Sequence, residues 1–213
     1  MKFRIFIVFI CLSTVLSYSQ EKSAKDILDK SLAAFTNAGG IKASFSFTLK
    51  DTKNKVNETF NGNISLKDDK FFLETPELLA WYNGVNQWMY MKGGDEVNLL
   101  KPDVNDDSQL LNPVAILSLY KKGFNYKYAG EKVVDKKKIQ EVELIPQKKN
   151  DWEKIIIQID NLTNLPSNIL VKYKNGTSNI IKIVKYQTKL SFSDDFFSFD
   201  KSKYPHVEVI DLR

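Results

Sequence analysis

From Ile41 to Lys50 the chain alternates without a break: Ile41, Ala43, Phe45, Phe47 and Leu49 fall on one side, Lys42, Ser44, Ser46, Thr48 and Lys50 on the other. Successive side chains of a β-strand point to opposite faces, so this run dictates a strand with one face buried and one in water. Such a strand needs partners, and the sequence offers them on both sides. Strands are predicted over Asn57 to Leu66, Lys70 to Thr75, Leu79 to Tyr82, Gln87 to Met91 and Glu96 to Leu100, with short turns at Asp68-Asp69, Asn83-Gly84 and Gly93-Gly94. A polar stretch containing Pro102 interrupts the meander. Asn112-Pro113 then has the pattern of an N-cap followed by proline at the first helical position, opening a short helix through Ile116, Leu117 and Tyr120 to Gly123. Strands resume over Phe124 to Ala129, Lys138 to Ile145, Lys154 to Asp160, Ser167 to Tyr173 and Ser178 to Tyr186. Ahead of the first strand, Ala24, Ile27, Leu28, Leu32 and Phe35 follow a helical spacing that Gly39-Gly40 stops. About eleven strands with two or three helices and no parallel crossover pattern predict a mainly β fold, a strongly curved antiparallel sheet with helices on one side.

The first twenty residues follow a different logic. Lys2 and Arg4 precede the apolar run from Phe6 to Leu12, and small and polar residues follow through Ser19-Gln20. This is the order of a secretory signal peptide, and the run falls short of the roughly 20 apolar residues a spanning helix needs. Residues 1–20 are therefore expected to be removed, leaving 21–213 as a single exported domain. Cys11, the chain's one cysteine, lies in this run behind a bulky Ile10, which argues against lipidation there. A mature chain without cysteine has no disulfides, thiol chemistry or thiolate metal site.

The formal charge is +5, and without Lys2 and Arg4 there remain 29 basic and 26 acidic residues. The lysines are spread along every segment instead of sharing a face with stacking aromatics, so no nucleic-acid partner is expected. The pairs Asp68-Asp69, Asp106-Asp107 and Asp194-Asp195 fall in turns, where carboxylates cap backbone N–H groups. His206 stands without a nucleophile or ligand cluster, and there is no phosphate loop, dinucleotide fingerprint or zinc motif. No enzyme, metal or cofactor is expected. What remains is apolar: Phe71, Phe72, Trp81, Tyr82, Trp88, Met89, Tyr90 and Met91 crowd into neighbouring strands, with Trp88 and Tyr90 facing one way and Met89 and Met91 the other. Either an ordinary two-sided core or a lipid-sized pocket on the concave face accounts for this density.

Several segments carry a resemblance. Gly62-Asn63-Ile64-Ser65-Leu66-Lys67, Phe71-Phe72-Leu73-Glu74-Thr75-Pro76-Glu77 and Asn83-Gly84-Val85-Asn86-Gln87-Trp88-Met89-Tyr90 come in the order of a glycine-led strand, an aromatic strand and a tryptophan-tyrosine hairpin. Leu111-Asn112-Pro113-Val114-Ala115-Ile116-Leu117, Asp160 through Leu165-Pro166, and the ending Phe199-Asp200 with Tyr204 to Asp211 continue it. Together they resemble the LolA family of outer-membrane lipoprotein carriers, and the last five residues resemble its branch in Bacteroidetes-like bacteria. The resemblance implies an open, incomplete antiparallel β-barrel under a helical lid, and a periplasmic chaperone that hides lipoprotein acyl chains between the inner and outer membranes. It implies acylated lipoproteins and a lipoprotein-releasing ABC transporter as partners, leaves an outer-membrane receptor open, and fits a monomer. Carried onto this chain, the acyl-chain cavity would be lined by Phe45, Phe47, Phe72, Trp88 and Tyr90 on strands and by Leu111, Ile116 and Leu117 on the lid.

One departure stands out. Where well-studied carriers have an arginine after the glycine-led strand, thought to bond to the lid, this chain has Asp68, with Lys67 and Lys70 nearby. An ammonium lacks the planar, multi-donor geometry of guanidinium, so Lys70 would replace that latch only in part. The alternative reading is an envelope sensor of the same fold that signals to a partner. A secreted hydrolase would need convergent titratable groups, which the sequence does not supply.

Overall fold

The computed structural model describes residues 24–102 and 113–213. The expected signal peptide and the lid residue Leu111 lie outside this range.

Helix α1, residues 24–37, buries the predicted stripe: Ala24, Ile27, Leu28 and Phe35 are all below a tenth exposed. Gly39 follows with φ +65°, the left-handed conformation that ends a helix at little cost for glycine. The chain then enters β1 (Gly40–Asp51), β2 (Val56–Lys67), β3 (Lys70–Glu74), β4 (Leu78–Tyr82), β5 (Gln87–Met91) and β6 (Glu96–Leu100). A short helix α2 (Pro113–Ser118) and one turn of 3-10 helix (Leu119–Lys121) lead into β7 (Phe124–Val134), β8 (Lys137–Pro146), β9 (Trp152–Asp160), β10 (Pro166–Tyr173) and β11 (Thr177–Leu190). The turn from β9 to β10 is held by the carboxylate of buried Asp160, which accepts from the N–H groups of Leu162 (2.9 Å) and Thr163 (3.3 Å).

A twelfth strand, β12 (Glu208–Asp211), completes one sheet in the order β12-β6-β5-β4-β3-β2-β1-β11-β10-β9-β8-β7. It is two meanders joined through β1 and β11, which pair antiparallel, Phe47 opposite Ile181. The sheet is not closed, since among the described residues β7 and β12 pair with no further strand. The β12 edge departs from the sequence expectation. This strand runs parallel to β6, with Val209 opposite Val97. Four residues in the tail are too few to show a period, which is why the expected all-antiparallel sheet lacked it.

The two faces of the sheet are covered differently. One carries the main core, in which Ile41, Ala43, Phe45, Ile64, Leu66, Phe71 and Leu73 join Val142, Leu144, Ile155, Ile157 and Ile169 beneath α1 and α2. On the other, the tail between β11 and β12 folds back over β3 to β6, burying Leu79, Trp81, Tyr90 and Val97 with Val207.

Candidate functional site

The main apolar face is not filled along its whole length. Away from the helices it encloses a cavity of about 620 Å³, lined by Phe45 and Phe47 of β1, Phe60 and Ile64 of β2, Leu73 of β3, Leu78 and Met91 across β4 and β5, Val171 and Tyr173 of β10, and Ile181 and Ile183 of β11. Met91 and Val171 border one cavity although six strand spacings, roughly 29 Å at ~4.8 Å each, separate their strands along the sheet. Only a sheet curled into most of a barrel brings them together. The volume lies within the roughly 300–1,000 Å³ typical of small-molecule sites.

Each part of the lining has a local cause. The alternation on β1 aims Phe45 and Phe47 inward, and the register with β2 sets Gly62 opposite Phe45 and Phe60 opposite Phe47. Phe47 and Phe60 stack, with ring centroids 4.9 Å apart. A Cβ at position 62 would stand 2.5 Å from Phe45 Cζ and 2.8 Å from the Glu74 carbonyl oxygen, so the missing side chain is what seats the Phe45 ring. On β11, a register shift between Ser44 and Phe45 leaves Val184 unmatched and returns Ile181 and Ile183 to the inner face. Polar groups join it: Glu58, Thr59, Thr75, Glu77 and Asn179, with Pro76, complete the lining, and Asn179 Nδ2 donates to Tyr173 Oη (3.0 Å).

Of the residues expected to line the interior, Phe45 and Phe47 do border this cavity. Phe72, Trp88 and Tyr90 do not. They sit on the opposite face, where Phe72 packs on Trp81 (5.3 Å between centroids) and Tyr90 on Tyr204 (5.3 Å). The alternation separated Trp88 and Tyr90 from Met89 and Met91 as expected, but Met91, paired with Leu78, is the one that reaches the cavity. Two apolar faces of similar composition carry no mark of which is concave, so alternation alone does not tell on which face the cavity opens. Phe60, Ile181 and Ile183 went unselected because their membership depends on register, although their strands were predicted.

Ile116 and Leu117, which the resemblance assigns to a lid, are 1% and 0% exposed and join the main core beside α1. They occupy apolar space on the cavity's face of the sheet without bordering the cavity itself. What pins this segment is Tyr120, whose hydroxyl donates to the Asp29 carboxylate on α1. Burial, then this bond, pushes the Tyr120 phenol well above its usual range, so it stays a donor at neutral pH. Asp29 is held below its ordinary range, first by the hydrogen bond from Lys25 and next by that from Tyr120. Asp68 is a turn residue with φ +55°. Lys67 and Lys70 reach past it to Asp194 at 3.1 and 2.9 Å, tying the β2–β3 hairpin to the C-terminal tail.

A curled, open sheet with an apolar cavity on its helix-covered face defines the open-barrel class of fold. The chain belongs to the family described as outer membrane lipoprotein carrier protein LolA, whose sequence pattern matches residues 12–177. No curated protein matches it in sequence. Among solved structures, it is similar to an uncharacterized conserved protein from Thermus thermophilus, with a TM-score of 0.62 at 9% identity over 89% of this chain and 99% of that one. A DUF1329 family protein from Desulfovibrio piger gives 0.52 at 12% identity, covering 84% and 97%. A LolA superfamily protein from Nitrosomonas europaea gives 0.49 at 10%, covering 83% and 97%. The first two likenesses define the fold, and the family is one of envelope binding proteins, not of enzymes.

Proposed function

We propose that residues 21–213 form a single carrier domain which, after removal of the signal peptide, binds acylated lipoproteins in the periplasm and holds their acyl chains between the inner and outer membranes. The observation that carries this reading is the cavity of about 620 Å³ walled by Phe45, Phe47, Phe60, Leu73, Ile181 and Ile183. Each methylene moved from water into such a site contributes about 0.8 kcal/mol, so a long acyl chain needs no charged anchor to be retained. Release requires a competitor for the same apolar surface. Ile116 and Leu117, already packed on that face, are placed to act as one if α2 moves across the mouth. A lipoprotein-releasing ABC transporter is the donor that this chemistry calls for.

The test is binding of a fluorescent fatty acid to the mature chain and its displacement by palmitate. Ile181→Lys, which sets an ammonium against the cavity from a half-buried position, is expected to weaken binding by more than about tenfold, since burying an unpaired charge costs several kcal/mol. Unchanged affinity in a folded variant would exclude the cavity as the acyl site.

A further inference from the structure

Among the described residues, the N-terminal half of β2 is an open edge inside the sheet. β1 pairs with β2 along its whole length, from Asp51 opposite Val56 to Ile41 opposite Leu66. β3 pairs only with the C-terminal part, from Asn63 opposite Glu74 to Lys67 opposite Lys70. Beyond Glu74 the chain cannot continue alongside. Pro76 has no N–H to give a ladder, and Thr75 turns the backbone into β4, its N–H donating to Leu78 O (2.9 Å) while its Oγ1 accepts from Leu78 N (2.9 Å). Val56 to Gly62 therefore direct alternate backbone N–H and C=O groups away from β1 over roughly 20 Å. Asn57 to Asn61 are all exposed, on both faces of the strand.

Edges of this length are normally blunted by lysine, proline or a bulge. Val56-Asn57-Glu58-Thr59-Phe60-Asn61-Gly62 contains neither residue, and its register with β1 runs without a shift. The same stretch borders the cavity through Glu58, Thr59 and Phe60, together with Thr75, Pro76 and Glu77 beyond the end of β3. Glu58 and Glu77 are exposed and form no ion pair among the described residues, so the opening is acidic.

We propose that this edge is the docking strand for the polypeptide tether of an acylated cargo, an extended basic segment that adds to β2 by backbone hydrogen bonds while the acyl group enters the cavity beside it. This rests on the carrier reading above and names the part of the cargo that the cavity does not hold. Backbone pairing is indifferent to sequence and the glutamates favour lysine, so many cargoes with a basic tether fit one edge.

The experiment is hydrogen exchange and affinity measurement on the mature protein with four probes: palmitic acid, an N-palmitoylated peptide alternating lysine and threonine, the same peptide without palmitate, and a palmitoylated peptide with glutamate in place of lysine. The basic acyl-peptide is expected to slow exchange at Val56–Gly62 by about tenfold beyond palmitic acid, and to bind about tenfold more tightly than the acidic one. If palmitic acid binds and the basic acyl-peptide protects Val56–Gly62 no better, edge docking is overturned and carriage stands. If neither acylated probe nor the acid binds, or the unacylated peptide binds as tightly as the acylated one, the carrier reading falls and the tether with it.

Discussion

At position 62 a single hydrogen decides the shape of the cavity wall. Because a Cβ there would meet both the Phe45 ring and the Glu74 backbone, Gly62→Ala is expected to destabilise the fold by about 1–3 kcal/mol, measured by urea denaturation, and to push Phe45 into the cavity. The two aromatic faces give a sharper contrast. Tyr204→Ala removes contacts with Trp81, Tyr90 and Phe199 and is expected to cost about 3 kcal/mol while leaving fatty-acid affinity within about twofold, because that cluster lies across the sheet from the cavity. Loss of affinity on that substitution would mean that the outer cluster and the cavity are coupled. The sequence displays Phe45 and Phe47 plainly as inward residues of a half-buried strand. It does not display Phe60 or Ile183, whose place follows from which residue stands opposite which, and a bulge at Val184 moves that register by one.

Among the elements, the segment from α2 to the 3-10 turn holds the greatest consequence. It is fastened to α1 by Tyr120 donating to Asp29, with Lys25 on the other side of the carboxylate. Tyr120→Phe is expected to remove about 1.5–3 kcal/mol from the docking of this segment, read as faster hydrogen exchange over residues 113–121 with the sheet unchanged. The Asp29 carboxyl has its folded pKa depressed, so the bond contributes fully above the ordinary carboxylate range and is lost as pH falls through the depressed value. Protection of 113–121 relative to the sheet is therefore expected to drop below about pH 4 in the native protein and to vary little with pH in Tyr120→Phe. Equal acid sensitivity in both would assign the effect to other carboxylates. Most strands and α1 were legible because their periods of two and 3.6 are long enough to read. The four residues of β12 were not, and neither was the Tyr120–Asp29 bond, whose partners lie 91 residues apart.

For the whole molecule, the mainly β curved sheet followed from strand alternation and short turns, the open barrel was implied by the resemblance that the order of weak motifs carries, and the family match over residues 12–177 agrees with it. The direction of curling did not follow, because Phe72, Trp88 and Tyr90 would make an equally good interior had the sheet curled the other way. What selects the direction is the tail, which commits Phe196, Phe199, Tyr204 and Val207 to covering that side and leaves the other for the helices and the cavity. The architecture thus separates a side that is packed by the chain's own tail from a side that holds the cavity and is covered beyond it by α1 and α2. The proposed carriage of acyl chains suits such a division, and it is tested most directly by native mass spectrometry of the mature protein co-expressed with a triacylated lipoprotein, beside the same lipoprotein lacking its acyl chains. A one-to-one complex with the acylated form alone is the expected result; a complex indifferent to acylation, or none with either form, would contradict the account.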